Sequence, residues 1–166
     1  DQVCVYLNGY EHVPDFILDY AKAGRLTYVV ASDNALRAAG KFYWMDKPGY
    51  FLLCDDDILY PKDYAATMKA AVDSHDREAV MGLMAATFEH DEAGKTRRTV
   101  YSAFSDANNL QQRTHLLGTG VMGFHANAVT GFSLDRLLSE PIDNDDIFAV
   151  EAQRCGVPLW NIKRAE

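Results

Sequence analysis

The sharpest change of polarity in the chain lies between Tyr50 and Ile58, where the largely apolar Tyr-Phe-Leu-Leu-Cys runs directly into Asp55-Asp56-Asp57. An apolar run of this length between Pro48-Gly49 and Pro61 predicts a strand covered on both faces, the usual state in a parallel α/β sheet. Before it, residues 3–7 predict a strand ended by Asn8-Gly9, and residues 14–23 a helix with Phe16, Ile17, Tyr20 and Ala21 on its apolar face and Gly24 as its stop. Residues 26–31 predict a second strand closing at Ser32-Asp33-Asn34. Strand, helix, strand at this spacing is a right-handed βαβ unit with parallel strands.

The pattern continues with a short helix over 35–39 closed by Gly40 and a short strand at Phe42-Tyr43-Trp44. Tyr64, Met68, Ala71, Val72 and His75 recur at helical spacing and predict a helix over 61–75. Residues 79–88 read as a strand, the polar 89–98 around Gly94 as a hairpin tip, 99–104 as the returning strand and 105–113 as a mobile polar segment. Residues 116–125 predict a strand or bend whose three glycines let substrate or backbone approach closely. The acidic 141–148 leads into a helix ending at Cys155-Gly156, and 157–162 predict a last strand. The expected architecture is α/β, a mostly parallel sheet flanked by helices, in one domain spanning 1–166.

Composition narrows the partners. The 166 residues are 48% hydrophobic and 24% charged, as in an ordinary globular domain. A net charge of −8 argues against general nucleic-acid binding, whose phosphate contacts require a basic surface. It also means that any nucleotide diphosphate bound here needs a cation between it and the protein. Cys4, Cys54 and Cys155 are odd in number and widely spaced; they read as buried thiols of a reducing compartment, with neither a metal-binding spacing nor a disulfide framework. No apolar run reaches the roughly 18 residues of a membrane span. The chain lacks an initiator Met and starts almost inside its first strand, as an excised domain would.

The acids carry the candidate chemistry. Side chains alternate along an extended segment, so Asp55 and Asp57 are expected to point one way and Asp56 the other. Two carboxylates about 4 Å apart repel by roughly 1 kcal/mol in water and roughly 4 kcal/mol at a partly buried site. A hard divalent ion such as Mg2+ or Mn2+, completed by water and phosphate oxygens, removes that cost. The other reading is a solvated turn whose acids complement the N-terminus of the following helix. Asp33, on the same rim by the βαβ argument, either caps the short helix or hydrogen-bonds a ribose or base edge. Asp145 and Asp146 either complement a helix dipole or supply a general base. Lys41, His90 and His125 read more simply as a solvated cation, a loop residue and a structural residue.

Taken together and in order, Asp-Asp-Asp-Ile-x-Tyr-Pro-x-Asp-Tyr from Asp55 to Tyr64, the upstream strand ending at Asp33, Gly118-Thr119-Gly120 and the downstream Asp145-Asp146 resemble nucleotide-sugar glycosyltransferases of the GT-A fold, in particular the inverting family-two type of bacterial polysaccharide synthesis. The resemblance implies a sugar transferred from a nucleotide-diphosphate donor, a UDP-sugar, to the hydroxyl of a carbohydrate or other acceptor, with inversion. It implies that Asp55 and Asp57 are the metal-binding pair, Asp57 the more direct ligand of Mn2+ or Mg2+, with Asp56 beside them at the donor. Asp33 then lies near the nucleoside, Lys41 near base or phosphate, and Asp146, or its neighbour Asp145, is the base on the acceptor. A cytoplasmic location follows, at the inner membrane face if the parent protein is membrane-associated. The chain departs from the family in lacking a metal-binding His after the last strand and in its length, which implies truncation at the C-terminus. Two other classes fit the acids: a metal-dependent phosphohydrolase or phosphotransferase, whose Asp-x-Asp would be expected on the first strand where this chain has Asn8-Gly9, and a non-catalytic α/β binding domain.

Overall fold

The computed structural model describes residues 2–102, 111–139 and 142–163. In chain order the elements are β1 (Val3–Asn8), α1 (Asp15–Lys22), β2 (Leu26–Ala31), a 3-10 turn (Arg37–Phe42), β3 (Tyr50–Cys54), α2 (Tyr64–Asp73), β4 (Val80–Gly82), β5 (Ala85–His90), β6 (Thr96–Ser102), β7 (Gln112–Thr114), β8 (Leu116–Leu117), β9 (Val121–His125), a second 3-10 turn (Ala126–Val129), α3 (Leu134–Ser139), α4 (Asn144–Cys155) and β10 (Leu159–Asn161). They form two compact units, 1–46 with 134–141, and 47–133 with 142–166.

In the first unit β1 and β2 pair in parallel, from Val3 opposite Leu26 to Asn8 opposite Ala31. This is the predicted βαβ unit. Pro14 caps α1 and Ile17 is its buried residue. Beyond β2 the sequence misleads. The expected helix over 35–39 is instead the 3-10 turn over Arg37–Phe42, with Gly40 inside it. Gly40 is required there because a Cβ would lie 2.6 Å from the Tyr6 ring. Phe42-Tyr43-Trp44 is no strand: Phe42 ends the 3-10 turn and is fully buried, while Tyr43 and Trp44 pack edge to face at 5.2 Å and Tyr43 meets the Tyr6 ring at 5.2 Å. Aromatic residues suit strands and ring clusters equally, and the glycine beside them selects the cluster.

The second unit is built on a mixed sheet of order β3-β9-β4-β10-β7. β3 and β4 both run antiparallel to β9, β10 runs parallel to β4, and β7 opposes β10. β3, β4 and β10 therefore share one direction. The expectation of a fully covered β3 in a parallel ladder is corrected: its pairing is antiparallel and only Leu53 is buried. Met68 and Val72 of α2 are fully buried with Tyr64, Ala79, Met81 and Ile162. The long run over 79–88 is divided between β4 and β5, which lie in different sheets, and 116–125 between β8 and β9. Gly82 permits the corner, where a Cβ would fall 2.7 Å from Leu117. A hydrophobic run records burial and not such a bend. β5 and β6 form the predicted hairpin, with β8 on the other side of β5. The expected strand over 99–104 and polar segment 105–113 lie in part outside the described residues. β7 and α3 have no counterpart among the predicted elements. The cysteines are not buried thiols: Cys4 and Cys54 are exposed and Cys155 is half-buried.

α4 is fixed by its apolar face, Ile147, Phe148 and Ala152, and by one buried acid. Glu151 is 0% exposed; it accepts from the Ser133 amide at 2.9 Å and pairs with Arg154 at 2.7 Å. At the opposite end of β3 from its aspartates, Asp73 accepts from Lys69 (2.5 Å), the Tyr50 hydroxyl and Arg77 (2.9 Å). The Lys69 bond first, then Tyr50 and Arg77, hold the Asp73 carboxyl well below its ordinary range. A depressed folded value adds stability above the unfolded carboxylate range near about 4 and loses it as pH falls toward the folded value. Asp73→Asn is therefore expected to lower the urea midpoint at pH 6, with the gap to the natural chain closing as pH falls below about 4; a gap that stays constant with pH would contradict this.

Candidate active site

β3 ends at Cys54, and the chain leaves the sheet in a turn holding Asp55, Asp56 and Asp57. Asp55 and Asp57 line a pocket of about 410 Å³ and Asp56 does not; all three lie in the turn, outside the extended segment to which side-chain alternation applies. The facing wall is Gly118-Thr119-Gly120, the turn between β8 and β9, with Ile58, Met84, Val121 and Asp145 completing it. This volume lies within the range of small-molecule sites.

The acids of the 143–146 run have three separate fates. Asp143 is the N-cap of α4 and accepts from the Asp145 amide at 3.0 Å. Asp145 reaches the pocket, where its Oδ1 accepts from the Thr119 amide at 2.8 Å and the Thr119 hydroxyl at 2.7 Å. Asp146 is exposed and is not among the lining residues. One position around a helix is about 100° of rotation, enough to send neighbouring acids to different surroundings.

Two residues without an assigned role in the sequence reading shape this site. Thr119, 2% exposed, holds Asp145. The Tyr60 hydroxyl accepts from the Asp55 amide at 2.8 Å and donates to the Gly120 carbonyl at 2.5 Å. Burial pushes the Tyr60 phenol well above its usual range, so it remains a proton donor. A threonine between two glycines and a tyrosine five residues after the first acid are visible in the sequence, but nothing there says what they bond.

Asp33 and Lys41 belong to the other unit. Asp33 Oδ1 accepts from the Ala35 amide at 3.4 Å, an Asx turn that does not cap a helix, and Lys41 sits in the 3-10 turn. His90 is exposed beside the Thr96 hydroxyl at 3.2 Å. His125 accepts from the Asn127 amide at 3.2 Å and packs its ring against Tyr50 at 4.9 Å, a structural role. Among the described residues no three His, Cys, Asp or Glu side chains are grouped as a ready metal-ligand set. Asp55 and Asp57 offer a cation two carboxylates, with room in the pocket for water and phosphate oxygens, the usual partners of Mg2+.

No protein-family model matches this chain, and no curated protein sequence does. Solved structures similar to it include the following two. GalNAc-T7, solved with UDP, GalNAc and Mn2+, aligns over 97% of this chain at 12% identity and a TM-score of 0.66. The A197 protein from STIV aligns over 98% of this chain and 82% of its own at 12% identity, with a TM-score of 0.46 too low to bear on the fold. The chain spans 36% of the length of GalNAc-T7. The fold is α/β, and its likeness is to a GT-A glycosyltransferase.

Proposed function

We propose that this chain is the donor-binding part of a metal-dependent glycosyltransferase that moves a sugar from a nucleotide-diphosphate donor, a UDP-sugar, to an acceptor hydroxyl. The observation that carries this reading is the meeting of Asp55, Asp57 and Asp145, from the end of β3 and the start of α4, in one pocket of a chain whose fold is similar to that of a glycosyltransferase. That GalNAc-T7 was solved with UDP and Mn2+ supports the choice of both for the test.

Asp55 and Asp57 are the residues to hold Mn2+ or Mg2+, which when bound would neutralise charge on the departing diphosphate. Asp145 takes the proton of the acceptor hydroxyl. The resemblance put Asp146 first for that role; its exposed position outside the pocket moves the assignment to Asp145. Attack from the face opposite the leaving group would invert the anomeric carbon. Ile58, Met84 and Val121 give the pocket an apolar wall beside these acids. For Asp33 and Lys41, contact with the nucleoside is proposed on the resemblance alone.

Calorimetric titration with UDP tests this directly. UDP is expected to bind with Mn2+ and not without it; Asp57→Asn abolishes the heat, and Asp56→Asn leaves it within about twofold, as for a surface change away from the ligand. UDP binding that ignores Mn2+, or no binding at all, overturns the proposal. Phosphate released from a simple ester would mark a phosphohydrolase instead.

A further inference from the structure

We infer that Tyr60 is a positioning residue that locks the two walls of the acidic pocket together, so that the carboxylates leaving β3 and the carboxylate arriving on α4 act as one site. This rests on the pocket reading proposed above. One wall is the Asp55–Asp57 turn; the other is Gly118–Gly120, through which Thr119 holds Asp145. The hydroxyl oxygen of Tyr60 joins them at the backbone, accepting from Asp55 N at 2.8 Å and donating to Gly120 O at 2.5 Å. Its two backbone partners are the first pocket acid and the neighbour of the residue that holds Asp145.

The lever is stiff. The Tyr60 ring lies 4.7 Å from the ring of Tyr64, which is 6% exposed and donates its own hydroxyl to Leu53 O at 3.3 Å. The walls also stand at their closest approach: a Cβ on Gly120 would lie 2.1 Å from Asp55 Oδ2. A phenolic ring anchored by α2 packing thus sets the separation of the walls, and bonds to both of them transmit any change on one side to the other.

Amide hydrogen exchange on the full chain separates this from a hydroxyl that merely stabilises the fold. Tyr60→Phe keeps the ring and removes the bridge. The Thr119 amide, bonded to Asp145 and not to Tyr60, is expected to exchange about tenfold faster, the weight of one ordinary hydrogen bond, while Val80 and Met81 in the core change less. Should Tyr60→Phe not fold, Thr119→Val reads the same coupling in reverse, through faster exchange at the Asp55 amide. An unchanged Thr119 amide beside a faster Asp55 amide, or uniform acceleration including Val80 and Met81, overturns the inference. In the titration with UDP and Mn2+, Tyr60→Phe is expected to bind about tenfold more weakly. If the natural chain binds no UDP, the glycosyltransferase reading fails, and the exchange result still decides the role of Tyr60.

Discussion

Asp145→Asn is expected to lower sugar transfer, read as UDP released from a UDP-sugar with Mn2+, by roughly 100- to 10,000-fold, the span of a lost general base. Asparagine keeps a side-chain oxygen where Thr119 donates its amide and hydroxyl hydrogen bonds, so the side chain stays in place while its proton-accepting carboxylate is gone. A general base acts in the transition state and contributes little to holding the donor, so on the proposed reading the loss falls on kcat and leaves KM for the donor nearly unchanged. The folded state barely notices: one charge at a helix N-terminus contributes about 0.3–1 kcal/mol. Asp146→Asn, at an exposed position outside the pocket, is expected to transfer almost normally. If Asp146→Asn carries the loss and Asp145→Asn does not, the base has been assigned to the wrong carboxylate.

Gly120→Ala is expected to cost roughly 10- to 100-fold in UDP affinity with Mn2+, the scale of disturbing a group that orients a metal-binding carboxylate. The added methyl would meet Asp55 Oδ2 at 2.1 Å and Cγ at 2.5 Å. Either the carboxylate turns out of the pocket or the Gly118–Gly120 turn retreats and stretches the bond from Tyr60 to Gly120 O. Gly131→Ala is the control, because Gly131 is not among the lining residues and its added methyl would meet only Cys155 Sγ at 3.1 Å and Cβ at 3.6 Å. A Gly120→Ala protein that binds UDP and Mn2+ as tightly as the natural chain would show that the Asp55 carboxylate is not what the donor meets.

Local signals in the sequence reached some of this site and stopped where contacts between distant segments decide. The βαβ unit was legible because proline, glycine and apolar spacing mark each boundary of β1, α1 and β2. The position of the three aspartates directly after β3 was also legible, from the apolar run that ends at Cys54, whereas strand alternation does not govern them because they occupy the turn. The reversed direction of β9 was not, because parallel and antiparallel partners leave similar apolar runs in a short strand. Nor was the break at Gly82, set by Leu117 across a sheet corner. Asp145 and Asp146 are chemically identical and adjacent; the phase of α4 and the position of Thr119, 26 residues away in sequence, separate them.

The antiparallel strand β9 lies between β3 and β4, and it is made long after both. On a ribosome, residues 50–54 emerge about seventy residues before the segment they pair with, and long-range pairing of this kind is slow because loop closure precedes any gain from contact. A nascent chain released only as far as residue 120 therefore has its aspartate turn and α2 without the rung that joins the first rail of the sheet to the rest. Assembly of the acidic crevice is in this sense a late, all-at-once event: the same stretch of translation that supplies the missing rung has just supplied the glycine turn, and α4 follows to close it.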